Sequence, residues 1–264
     1  MNSNSEVSVI IPCYNAERLI ERALNSVISQ TRPPKEIILI DDASNDDTLN
    51  ELERLRNLHE EFSISIIQNE KNLGPGLSRN KGWSIAKGTW IAFLDADDAW
   101  DPKKIELQLK LAEDNEDFGI FCHDSILSGK ASEQVSTASK DSQNQLTIKS
   151  MMFKNSVSTR TVMLKKDLPQ RFGRGLAEDL GLWLACLNDG VRILKTDSRL
   201  AYIYRPEFSP GGISSNLIRH EIYELKVLAR YFKLIPFTTS LALFFSLGKF
   251  IRRCLIRVLR RILK

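Results

Sequence analysis

The chain has 264 residues, 42% of them hydrophobic and 27% charged, which excludes a disordered polymer and allows one sizeable buried core. Its formal charge of +4 is uneven, because residues 248–264 hold seven basic residues and no acid, leaving −3 for the rest. That distribution excludes a nucleic-acid groove across the body, where basic and aromatic residues would interleave, and points instead to an anionic surface at one end.

The polar start Met1–Glu6 lacks the basic and apolar regions of a secretory signal and runs into a β-branched segment, Val7–Ile11, closed by Pro12. Asn15 offers a helix cap ahead of Leu19, Ile20, Ala23, Leu24, Val27 and Ile28 at helical spacing. A second strand, Glu36–Ile40, ends in Asp41-Asp42, and Asn45–Thr48 starts a helix carrying Leu49, Leu52 and Leu55. Ile64–Ile67 makes a third strand, followed by the turn Gly74-Pro75-Gly76 and a helix through Leu77, Ile85 and Ala86. The fourth strand, Trp90–Leu94, precedes Pro102, which opens the next helix at a position that needs no N–H. Strand–helix alternation of this kind predicts right-handed crossovers and a largely parallel sheet covered on both faces.

From Ser125 to Gln145 the pattern lapses into polar residues and reads as a mobile surface loop. Beyond it come Leu146–Phe153, a short β-rich piece Ser158–Leu164, a helix Asp179–Asn188 bounded by Gly190, and two closing strands, Val191–Leu194 and Leu200–Tyr204, before the turn Pro210-Gly211-Gly212. Cys13, Cys122, Cys186 and Cys254 have neither metal nor redox spacing, so they read as small hydrophobes in a reducing cytoplasm. His59 and His220 read as surface residues, and His123 as a strand-end histidine with the crevice as its alternative place.

The most informative stretch is Trp90–Trp100, an apolar run that ends in Asp95, Asp97 and Asp98. A buried strand of this sort delivers carboxylates to its carboxyl end. Asp95 and Asp97 flank the small Ala96 and would point to one side of an extended backbone, where a divalent cation bridging a diphosphate finds hard oxygen ligands. An acidic turn or helix cap is the bland alternative. Polar residues also follow the other strands: Tyr14 and Asn15, then Asp41 and Asp42, then Gln68. In doubly wound sheets that edge is where ligands sit.

These residues resemble the family 2 glycosyltransferases. The likeness is carried by Ser8–Asn15, Ser29-Gln30-Thr31, Ile40–Ser44 with Asp47-Thr48, Asn72-Leu73-Gly74 with Ser78-Arg79-Asn80, and Gly88–Asp98. It continues more loosely through Ala177–Leu184, Tyr204-Arg205 and Gly212–Ser215. The resemblance implies an α/β GT-A (Rossmann-like) fold, a mostly parallel sheet flanked by helices, to which the tail pattern adds a C-terminal amphipathic helical extension. The expected catalytic domain spans 1–215, with a nucleotide-sugar half over about 1–124 and an acceptor half over about 146–215, and the composition of the tail adds a membrane-associating region over 216–264. The implied activity is inverting transfer from a nucleotide-sugar donor, most often a UDP-sugar, with Mg²⁺ or Mn²⁺; the expected membrane location of the tail suggests a glycan or lipid-linked acceptor.

Residue roles follow from the same resemblance. Asp42 would accept from the nucleobase, with Tyr14, Asn15 or the backbone near Pro12 beside the ring. Asp95, with Ala96 next to it, would meet ribose or sugar hydroxyls, and Asp97 would ligate the metal. Arg205, with Lys71 or Arg79, would assist the diphosphate. An inverting reaction needs a base for the acceptor hydroxyl, and Asp179 takes that role with Glu178 as competitor or neighbour. Two acids favourably placed at a helix N-terminus are the alternative meaning of that pair.

Leu234–Gly248 is uncharged but too short to span a bilayer. After it, Ile251, Leu255, Val258, Leu259 and Ile262 lie on one side of a helix, with Arg253, Arg257, Arg260, Arg261 and Lys264 on the other, as in a helix at a membrane interface. A helix docked on the catalytic body is the alternative. The expected location is the cytoplasm, attached peripherally to the inner face of the membrane, with no nucleic-acid partner. A nucleotidyltransferase would need a glycine-rich phosphate loop where Pro12–Asn15 stands, and a receiver-like or nucleotide-binding module would leave Asp95–Asp98 and Glu178-Asp179 unexplained.

Overall fold

The computed structural model describes residues 6–128, 142–205, 216–231 and 235–262. The first half alternates as expected: β1 (Val7–Cys13), α1 (Ile20–Ile28), β2 (Glu36–Asp41), α2 (Thr48–Leu58), β3 (Ile64–Gln68), α3 (Pro75–Ile85) and β4 (Trp90–Phe93). β3, β2, β1 and β4 lie side by side and parallel, Cys13 opposite Asp41 and Asp41 opposite Gln68, so three strands end at one level. β1 and β2 are apolar on both faces because both are covered. Val9, Ile11, Leu24, Leu52, Ile105 and Leu109 fill one face, and Ile10, Ile38, Trp83, Phe93, Leu182 and Trp183 fill the other.

The second half is mixed. β5 (Asp98–Trp100), α4 (Lys104–Asp114), β6 (Ile120–Leu127), β7 (Gln143–Leu146), α5 (Ile148–Phe153), a 3₁₀ turn (Thr159–Thr161), β8 (Met163–Lys165), α6 (Glu178–Asn188) and β9 (Ile193–Ile203) follow. The sheet order is β3-β2-β1-β4-β8-β6-β9-β5, with β7 added against β9. β8 runs antiparallel to both β4 and β6, while β6 and β9 are parallel.

Several expectations change here. The two closing strands are one, because β9 keeps pairing with β6 through irregular register near Asp124. The loop expected over Ser125–Gln145 is narrower, since Ser125–Leu127 belongs to β6 and Gln143–Leu146 pairs with β9; residues 129–141 lie outside the described residues. The Ser158–Leu164 piece is a turn before a short strand. Asn15 caps no helix: it adopts φ 49°, and its side chain accepts from the Asn45 amide at 2.9 Å, tying the β1 loop to the β2 loop. The turn Pro210-Gly211-Gly212 and the likeness at Gly212–Ser215 also lie outside the described residues.

The C-terminal part forms α7 (Leu217–Ala229) and α8 (Pro236–Ile262). The uncharged stretch and the basic stretch are therefore one 27-residue helix, packed on α7 and α5. No helix among the described residues is long and apolar enough to cross a membrane.

Candidate functional site

One cavity of about 1090 Å³ opens at the carboxyl edge of the parallel strands. Pro12, Tyr14, Asn15, Asp42, Arg79, Asp95, Ala96, Asp97, Glu178, Asp179 and Arg205 all line it. The topology accounts for this gathering. Asp42 N–H donates to Cys13 O at 2.8 Å and Leu94 N–H to Ile10 O at 3.1 Å, so the residues leaving β1, β2 and β4 emerge together. β5 pairs antiparallel with β9, which returns Tyr204 and Arg205 to the turn that holds Asp95–Asp97.

Not every strand-end residue arrives. Asp41 is buried and accepts from the Ser44 amide at 3.2 Å, a turn-forming role, while Gln68 and Lys71 are exposed and do not line the cavity. Asn69 stands in for Gln68: its side-chain amide donates to Asp42 at 2.7 Å and to Ser78 at 2.9 Å. Asp42 also accepts from the backbone N–H groups of Leu73 (2.9 Å) and Gly74 (2.8 Å). A carboxylate has about four acceptor positions, so three of these are used in shaping the loop and one remains for a ligand.

Arg79 links the two acidic groups. Its guanidinium donates to Asp95 at 2.5 Å and lies 3.5 Å from Glu178. Burial would raise the Asp95 carboxyl, but the charges of Arg79 and Arg160 and the Arg79 hydrogen bond hold it below the ordinary range. Glu178 is pushed up to about 7 by burial, against the lowering influence of Arg79. Beside it Asp179 accepts from the Asn155 side-chain amide at 3.0 Å. Ala177, at φ 58°, turns the chain so that both acids enter from the first turn of α6.

The three acids around Ala96 differ. Asp98 is 1% exposed and paired with Arg160 at 2.7 Å, and burial pushes it up to about 7. Asp97 faces the cavity, raised first by burial and then by the Asp95 charge. A cation beside it would relieve both effects, and a single carboxylate plus substrate phosphates is an ordinary donor set for Mg²⁺. Among the described residues no cluster of three or more His, Cys, Asp or Glu is arranged to hold a metal by itself. The Asp97 carbonyl is fixed by Arg22, which donates to it at 2.6 Å while stacking 3.7 Å from the Tyr204 ring.

Sequence inspection missed Arg22, Asn69, Asn155 and Arg160. None stands in a motif, and their partners are 24 to 75 residues away. His123 is 2% exposed and lines the cavity; burial and nearby Lys104 lower it to about 3, so the imidazole is neutral. His220, expected at the surface, lines the far end of the cavity beside Glu224. The four cysteines are free, and Cys13, Cys122 and Cys186 are buried as expected.

Comparison with known proteins adds three findings. The family described as "Glycosyl transferase family 2" matches residues 8–161. Among curated relatives, the UDP-Glc:alpha-D-GlcNAc-diphosphoundecaprenol beta-1,3-glucosyltransferase WfaP of Escherichia coli is 30% identical over 84% of this chain and 85% of its own length. The putative teichuronic acid biosynthesis glycosyltransferase TuaG of Bacillus subtilis is 41% identical over 39% of the chain, and the match spans only 40% of TuaG. Among solved structures, S. aureus TarS 1–349 in complex with UDP-GlcNAc superposes with a TM-score of 0.68 at 22% identity, covering 86% of this chain and 66% of that one. The mannosyltransferase PcManGT of Pyrobaculum calidifontis, in complex with GDP-Man and Mn²⁺, gives 0.66 at 17% identity over 92% and 73%. At these identities the structural likeness concerns the fold.

Proposed function

The chain belongs to glycosyl transferase family 2, and we propose that it moves a sugar, with inversion, from a nucleotide-diphosphate donor to a hydroxyl of a lipid-linked or surface-polysaccharide acceptor. The observation that carries this is the convergence of Asp42, Asp95, Asp97 and the Glu178-Asp179 pair on one cavity. UDP-sugars are the donor class named for WfaP and bound in TarS.

The nucleoside lies toward Tyr14 and Asp42, whose remaining acceptor position takes a base N–H. Asp95, ionised and anchored by Arg79, meets the ribose or donor-sugar hydroxyls. Asp97 would hold a Mg²⁺ or Mn²⁺ ion, which supplies charge neutralisation for the departing diphosphate. Arg205 adds a positive charge at the same mouth. On the opposite side Asp179 takes the proton from the acceptor hydroxyl as its oxygen attacks the anomeric carbon. Asn155 keeps that carboxylate oriented, and Glu178 shapes its surroundings through Arg79.

Peripheral attachment to the inner face of the membrane through residues 216–264 belongs to the same proposal. Its support is the outward face of α8, where Phe237 is 82% and Phe244 72% exposed. The test of the activity is release of nucleoside diphosphate from a panel of nucleotide sugars with and without Mn²⁺. Release of pyrophosphate, or no turnover of any donor, overturns the assignment.

A further inference from the structure

Helix α8 buries Ala242 and sets Phe245 edge-on against Phe153, and it also turns polar groups inward. Ser246 donates to Glu221 (2.8 Å) and Glu224 (2.9 Å), Arg253 pairs with Glu221 (2.7 Å), and Lys249 Nζ donates to the Phe153 carbonyl (2.7 Å). The outward side presents Phe237, Leu241, Phe244, Leu247 and Ile251.

The inward side reaches the cavity of the candidate base. Asn155 donates to Asp179, Lys154 is its chain neighbour, and Lys249 is bonded to the residue before that; all four line the cavity. Arg253 has its charge balanced by Glu221, whereas among the described residues neither Lys154 nor Lys249 forms an ion pair. Three chemistries therefore succeed one another outward from Asp179: a proton acceptor, two uncompensated ammonium groups, and an uncovered apolar helix face.

We infer that this end of the cavity holds the diphosphate of a lipid-linked acceptor, with Lys154 and Lys249 as its partners and the isoprenoid chain along the outward face of α8. The inference rests on the glycosyl-transfer reading and deepens it by naming the acceptor's anionic group and its seat. An anion there satisfies both ammonium groups, and the order sugar, diphosphate, lipid matches the order base, lysines, apolar face.

The test uses the full chain in detergent, saturated with UDP so that the donor side is filled, and geranylgeranyl diphosphate as probe, with geranylgeraniol as its uncharged counterpart. The diphosphate should bind at least tenfold more tightly than the alcohol. Lys154→Gln and Lys249→Gln should each weaken it about tenfold, the order of one lost charge-assisted hydrogen bond. Lys249→Arg should restore most of the affinity, separating charge from folding, and Lys110→Gln, an exposed change on α4, should leave binding as in the parent. Equal binding of alcohol and diphosphate, parent-like binding by both glutamine variants, or equal displacement by phosphatidylglycerol micelles overturns the inference. A chain that binds the probe through these lysines but releases no nucleoside diphosphate from any nucleotide sugar overturns the activity assignment instead.

Discussion

The side-chain amide of Asn155 donates to the Asp179 carboxylate at 3.0 Å, bringing the segment after α5 to the first turn of α6. The bond fixes the direction in which the Asp179 carboxylate faces the cavity.

Asp179→Ala should lower transfer by about 10²–10⁴-fold, the range for loss of a general base, while nucleotide binding persists. Asn155→Ala should lower kcat less, because the carboxylate stays but loses the donor that orients it. A parent-like kcat in Asn155→Ala would remove Asn155 from this role.

Glu178 provides a pH dependence with a definite sign. Its carboxyl is raised from 4.5 to about 7 by burial, so the folded protein holds that proton more tightly than the unfolded chain. The associated stability is complete below about pH 4.5 and is lost as pH rises through about 7. Glu178→Gln keeps the size and removes the charge, so its melting temperature relative to the parent should rise on going from about pH 5 to about pH 8. Melting curves for the pair that stay parallel across that range contradict the assignment.

Arg79 is buried between Asp95 and Glu178, and its replacement leaves two acids without their shared cation. Arg79→Ala should destabilise the fold by about 2–4 kcal/mol and weaken donor binding, since the Asp95 carboxyl loses its lowering influence. Urea unfolding and donor titration measure the two effects separately.

Gly76 lies beside Glu178. A Cβ there would come 2.8 Å from Glu178 Cγ and 3.1 Å from both Gly173 O and Phe172 Cβ. Gly76→Ala should cost about 1–3 kcal/mol as overpacking and displace Glu178, reducing kcat more than donor affinity. Gly190 has nothing within 4 Å of its ideal Cβ but sits at φ +83°, so Gly190→Ala should destabilise through backbone strain alone and leave kcat unchanged.

Asp97 is the residue expected to need a cation. Chelation by EDTA and Asp97→Ala should each depress turnover, and added Mn²⁺ should restore the chelated parent but not the variant. Recovery of the variant by Mn²⁺ alone would place the cation elsewhere.

Much of the first half of the chain was legible in the sequence because its signals are local. The β-branched runs fix β1 to β4, right-handed crossovers fix their parallel order, and residues just after those strands share one edge. Tyr14, Asp42, Asp95 and Asp97 were found that way. Asp41 and Gln68 occupy equivalent positions yet leave the site, because strand alternation and the loop held by Asn69 turn them elsewhere. The second half was less legible: β5, β7 and β8 are three or four residues long, too short for a period-2 pattern to speak, and β9 runs through a polar stretch that read as a break.

Sequence by itself determined the alternating α/β order, the acidic strand ends and the apolar and basic character of the tail, since each depends on neighbours within a few residues. Tertiary structure alone decided that Arg79 joins Asp95 to Glu178, that Arg160 removes Asp98 from the cavity, that Asn155 holds Asp179, and that α8 turns its lysine inward and its phenylalanines outward. Those are pairings between distant segments, and which buried charge meets which partner is fixed only when the sheet brings both under one roof of low polarity, where an unmatched charge is too costly to keep.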